Sequence, residues 1–116
     1  LKKVLLLGLL AIMVLAGCSS NSKESSHTLD DYIKAYTDQG VEVDPENKPV
    51  FAMIGAINGV LFYYEKSPVK IYEYKSSADL KKSVSADSAM KDWPSAGKFL
   101  LETKNEKAME IFESVK

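Results

Sequence analysis

One cysteine, Cys18, and one histidine, His27, are the only thiol and the only imidazole in this chain of 116 residues. A nucleophile needs a base held within hydrogen-bond reach by packed structure, and zinc sites draw on several His and Cys side chains together. His27 closes a polar run and reads as an ordinary linker residue, so Ser-His-Asp, Cys-His and zinc chemistry are not expected. Glu42, Asp44 and Glu46 could offer oxygens to calcium. Their spacing lacks the Asx-Gly pattern of a calcium loop and Pro45 stiffens its centre, so a solvated charged loop is the better reading. Glu65, Glu73 and Glu102 could pair as the acid and base of a glycosidase do, although any domain of this size carries carboxylates. Gly55, Gly59 and Gly97 form no phosphate-cradling pattern. No metal or cofactor is implied, and enzyme function is not expected.

The aromatic residues Tyr63, Tyr64, Tyr72, Tyr74 and Trp93 are more informative. At alternating strand positions some must face outward unless both faces of a sheet are covered. Exposed Tyr and Trp are favoured at binding surfaces; the plainer alternative is that the rings fill a small core. Tyr63, Tyr72, Tyr74 and Trp93 are the candidate partner contacts.

At the start of the chain, Lys2 and Lys3 precede an apolar run over 4–16 that is interrupted only by Gly8. Such a run suits the hydrophobic region of a signal peptide and is short of the roughly 20 residues of a spanning helix. Leu15-Ala16-Gly17-Cys18 follows. These four residues, at this distance from the basic start, resemble the lipobox of bacterial lipoproteins. The resemblance implies cleavage between Gly17 and Cys18, a diacylglyceryl thioether on the Cys18 sulfur, and lipid anchoring at the extracytoplasmic face of the cell membrane. Two acyl chains hold stably where one is marginal, because each buried CH₂ contributes about 0.8 kcal/mol. The stretch 19–27, Ser-Ser-Asn-Ser-Lys-Glu-Ser-Ser-His, has no apolar residue. It is expected to be a flexible tether reaching roughly 15 to 18 Å as a random coil. The expected organisation is a signal peptide over 1–17, the lipidated cysteine and tether over 18–27, and one small domain over 28–116.

With Lys2 and Lys3 removed, 13 of the 15 lysines remain against 16 acidic residues, formally −3. A nucleic-acid partner is excluded on this balance, since such a partner needs a basic patch to displace counterions.

The elements that must position the aromatics follow from periodicity. Thr28 with Asp30 and Asp31 predicts a helix start, and Leu29, Tyr32, Ile33 and Tyr36 form one helical face ending near Gly40. Segments 51–57 and 60–64 are apolar runs joined by Asn58-Gly59, a strong hairpin signal. That pairing puts Met53, Ile57, Val60, Phe62 and Tyr64 on one face and Ala52, Ile54, Ala56, Leu61 and Tyr63 on the other, so both faces need cover. Lys66-Ser67-Pro68 predicts a second turn, and 69–74 a third strand with Val69 and Ile71 opposite Tyr72 and Tyr74. Ser76 and Asp79 mark a second helix with Leu80 and Val84 inward, and Met90 and Trp93 are expected to cap the core. A fourth strand covers 98–103, and Thr103 to Glu106 is a capping box for a last helix with Ala108, Ile111, Phe112 and Val115 inward. The predicted fold is α+β, a small antiparallel sheet of about four strands with helices packed on it, in the order α-β-β-β-α-β-α.

The stretch from Trp93 to Phe112, with Lys98-Phe99-Leu100-Leu101-Glu102-Thr103 before a short helix, is similar to small lipoproteins of unknown function from Gram-positive bacteria and their mobile elements. That resemblance implies no activity. The expected role is a membrane-anchored binding or protein-interaction module, its partners being membrane lipid through acylated Cys18 and an envelope protein. The alternatives are a small envelope hydrolase or ligand-processing enzyme and a surface protection factor encoded by a phage or plasmid.

Overall fold

Thr28 starts the first helix through a reciprocal pair of bonds. Its Oγ1 accepts the Asp31 amide at 3.2 Å, and its own amide donates to the Asp31 carboxylate at 2.9 Å, so two donors that a helix start leaves unpaired are satisfied. This computed structural model describes residues 27–115; the expected signal segment, Gly17, Cys18 and all of the expected tether except His27 lie outside the described residues. Helix α1 spans Leu29–Thr37 and buries Leu29, Tyr32 and Tyr36. Gly40, at φ +88°, turns the chain away from it.

Strands β1 (Asn58–Tyr64) and β2 (Ser67–Glu73) form an antiparallel hairpin in which Asn58 faces Glu73 and Tyr64 faces Ser67. Helix α2 (Ser77–Ala86) follows, capped by Ser76 Oγ, which accepts the Asp79 amide. A single turn over Ser88–Met90 leads to the short strand β3 (Ser95–Ala96), then β4 (Phe99–Thr103) and helix α3 (Glu106–Ser114). The four strands lie in the order β1-β2-β4-β3, all pairs antiparallel. The α+β class and the four-stranded antiparallel sheet with packed helices are as the periodicity predicts.

One strand is placed differently. Segment 51–54 is a 3-10 turn (Phe51–Ile54) that Gly55 closes in the left-handed region at φ +83°. Asn58-Gly59 is not a hairpin turn and lies inside β1; the fourth strand is β3 instead. The hairpin turn is Glu65-Lys66, both with positive φ of 51° and 71°, the conformation that lets a two-residue turn follow the twist of its strands. Gly59 serves another need: a Cβ there would stand 2.9 Å from the Ile71 carbonyl and 3.1 Å from Pro49. The connection 44–49 is thereby able to cross close to β1. Asn47 completes that crossing, its carbonyl accepting the Leu61 amide at 2.8 Å and its side-chain amide donating to the Leu61 carbonyl at 3.1 Å. At the last helix the cap is Asn105, not Thr103. Asn105 Oδ1 accepts the Ala108 amide, while Thr103 Oγ1 accepts the Asn105 amide and donates to the Pro68 carbonyl.

Both faces of the sheet bury apolar residues. On the first, Val60, Phe62, Val69, Ile71, Phe99 and Leu101 meet α1 and α3. Tyr32 stacks on Phe112 at 4.8 Å between centroids and tilts against Phe99 at 4.7 Å, and Tyr36 meets Phe62 edge-on at 4.7 Å. Tyr36 Oη donates to the Ala108 carbonyl at 2.6 Å. With Tyr36 at Ala108 and Tyr32 at Phe112, α1 and α3 run antiparallel. On the second face Tyr72, Tyr74, Leu80, Met90, Leu100 and Ala56 form a smaller cluster, with Phe51, Ile54, Val84 and Trp93 at its margin. Among the described residues no helix is long and apolar enough to cross a membrane.

Candidate functional site

The register decides which part of the second face is open. Residues opposite one another on paired strands share a face, so Leu61, Lys70 and Glu102 form one row and Tyr63 with Pro68 the next, toward the hairpin turn. Helix α2 and the turn after it cover Tyr72, Tyr74 and Leu100 and stop short of these rows. Beyond their edge lies a groove of about 550 Å³ lined by Lys66, Ser67, Pro68, Lys70, Trp93, Glu102, Thr103 and Lys104.

Trp93 forms one wall. Its amide donates to the Met90 carbonyl at 3.1 Å, and its ring lies parallel to Tyr72, 6.4 Å between centroids and 10° between planes. Tyr72 Oη donates to Glu102 Oε1 at 2.7 Å, and Lys70 Nζ lies 3.9 Å from the same oxygen. Burial, followed by the adjacent Glu102 carboxylate, pushes the Tyr72 phenol well above its ordinary range, so it stays a donor and fixes the carboxylate. Three lysines, Lys66, Lys70 and Lys104, line the groove with Glu102 as the one carboxylate among its lining residues. The groove therefore combines an indole wall with a cationic rim.

Of the expected partner contacts, Tyr63 is 58% exposed and Trp93 half-buried. Tyr72 and Tyr74 are corrected: they are 4% and 0% exposed, because α2 and segment 51–56 cover that half of the face. Tyr72 does not line the groove and touches it through Glu102 and the Trp93 ring. Tyr74 instead donates to the Ile54 carbonyl at 2.7 Å, which pins the 3-10 turn. His27 is also corrected. It packs at the domain's edge, its Nδ1 3.5 Å from Asp31 and its ring edge-on to Tyr32 at 6.0 Å, because helix capping at Thr28 draws the preceding residue against α1.

The lysine rim was not singled out from the sequence. Finding it required the true hairpin turn, since only the Glu65-Lys66 turn sets Lys70 beside Leu61. Among the described residues no group of three or more His, Cys, Asp or Glu could hold a metal ion. No known protein family, curated protein or solved structure matches the chain, so the site stands on its own geometry.

Proposed function

We propose that the protein is a membrane-anchored extracytoplasmic lipoprotein, held by diacylated Cys18, whose folded domain binds an acidic, partly apolar segment of an envelope protein. The observation that carries the binding reading is the uncovered half of the second sheet face. There Trp93 offers a flat apolar wall and Lys66, Lys70 and Lys104 offer donors to a carboxylate, while Tyr63 and Leu61 extend the surface along the hairpin. Aromatic anchors beside complementary charge are what a hot spot of a protein interface requires. The anchoring reading is supported by the lipobox-like Leu15-Ala16-Gly17-Cys18 and the basic and apolar residues before it.

Photo-crosslinking in intact cells tests the binding. A photoreactive residue at Tyr63 or Lys104 is expected to give a discrete adduct that is absent from the remote exposed positions Lys82 and Glu110 and is lost with Trp93→Ala. Equal adducts from all four positions, or none from any, overturn the groove. Intact mass and detergent partitioning test the anchor: Cys18→Ala should lose the diacylglyceryl mass and leave the detergent phase, and an unchanged mass and partition refute lipidation.

A further inference from the structure

We infer that segment 50–57 is a second membrane contact, inserting its exposed apolar side chains into the lipid bilayer beside the anchor. This rests on the lipidation of Cys18 proposed above and adds to it a fixed face of the domain that meets lipid.

Val50, Met53 and Ile57 are 71%, 83% and 55% exposed, three large apolar residues in one short segment. Soluble surfaces seldom carry such a concentration without a use. Local geometry sets it. Residues three apart eclipse one another in a 3-10 turn, so Phe51 and Ile54 point together onto the second cluster, while Met53 within the turn and Val50 just before it stay exposed. Left-handed Gly55 reverses the chain, and a Cβ there would lie 2.8 Å from Ser83 Oγ. The Tyr74 hydroxyl holds the Ile54 carbonyl, and the Ile57 amide donates to the Glu73 carbonyl at 2.8 Å. The outward residues are thus presented by a braced turn.

What covers them is indicated by where the rest of the chain begins. Thr28, Asp30, Glu46, Lys48, Asn58 and Glu73 line one shallow cleft, so the start of α1 and the segment's end at Ile57 lie at the same end of the domain. Ten residues run from Cys18 to His27, a contour of at most roughly 33 to 36 Å. An acylated Cys18 therefore keeps this end near the bilayer. Lys48 and Lys98 stand here together with Asp30, Glu46 and Glu73, and Lys98 is paired to Glu73 at 3.0 Å. Net charge at this end is mixed, which makes apolar insertion the driving term and predicts little dependence on anionic lipid. The groove opens at the other end of the strands, about 20 Å away by the rise of a seven-residue strand.

Site-directed spin labelling of the full acylated protein in phosphatidylcholine vesicles, with and without phosphatidylglycerol, tests this. With the Cys18 thiol occupied by lipid, Met53→Cys and Lys104→Cys each supply one labelling position. A label at 53 is expected to show a several-fold higher ratio of oxygen to water-soluble nickel-chelate accessibility than one at 104, in both lipid mixtures, and Val50→Asp with Ile57→Asp should abolish the difference. If intact mass shows lipid on Cys18 and both positions are equally open to the chelate, the contact is refuted and the anchor stands. Low accessibility to both reagents at 53 means burial against a second copy and also refutes it. Absence of lipid on Cys18 overturns the anchor and, with it, this contact.

Discussion

Two tyrosines four residues apart on α1 differ in one bond. Tyr36 Oη donates to the Ala108 carbonyl at 2.6 Å, whereas Tyr32 Oη is buried without a hydrogen-bond partner among the described residues. A buried donor left unpaired costs about 1–3 kcal/mol and a made bond contributes about 1 kcal/mol. Tyr36→Phe is therefore expected to lower unfolding free energy in urea by about 1 kcal/mol, and Tyr32→Phe to leave it unchanged or raise it by up to about 1 kcal/mol. The same rings set the alkaline limit. Burial raises the phenols of Tyr32, Tyr36, Tyr72 and Tyr74 above the ordinary value, so the folded state holds protons that the unfolded chain releases near pH 10. Their contribution is complete below about pH 10 and is lost as pH rises through the folded values. Circular-dichroism melts should show Tm falling steeply between about pH 10 and 12. At the acid end Asp31 works in the opposite sense, since the Thr28 amide lowers its pKa and its stabilisation disappears as pH falls through that lowered value.

Among the elements, the hairpin turn carries the clearest local conflict. Glu65 and Lys66 both sit at positive φ, where a side chain costs roughly 1–2 kcal/mol per residue relative to glycine. Replacing Glu65-Lys66 by Asn-Gly is expected to raise unfolding free energy by about 1–2 kcal/mol, read from urea titration, and to remove one lysine from the groove rim. Strain tolerated beside a site often reflects its use, so this exchange should stabilise the fold while weakening crosslinking from Lys104. That turn is also where sequence reasoning lost its way. Asn58-Gly59 carries the stronger composition signal, and Glu65-Lys66 carries almost none; the latter is selected by Tyr64 facing Ser67 and by Val60, Phe62, Val69 and Ile71 sharing one core face. The helices were legible because each has its own period and cap, as Leu29, Tyr32 and Tyr36 show, and so was the split of Val69 and Ile71 from Tyr72 and Tyr74. Alternation left the exposure of Tyr63 and Tyr72 alike open; Tyr63 is exposed and Tyr72 is not, because cover by α2 depends on packing distant in sequence.

Across the whole molecule the two ends of the sheet differ in character. Apolar side chains crowd the end where α1 begins, and the cationic groove opens at the end where the hairpin turns. A domain held by its first end would present the second outward, a polarity that no single element displays and that follows from strand direction alone. The lateral boundary of the sheet is governed by something smaller, the pair of bonds between Asn47 and Leu61. Strand β1 is outermost in the sheet, and an unguarded outer strand is a template for another chain. Asn47→Ala keeps the backbone bond and loses the side-chain bond; Asn47→Pro bends the crossing itself. Thioflavin fluorescence and light scattering are expected to rise over hours for the proline variant and to stay at baseline for the parent. On the proposed lipid anchor, copies of the chain would share a plane rather than a volume and meet far more often than free ones, so this crossing would act as a social barrier between neighbours, keeping a crowded surface of identical chains from knitting into fibres.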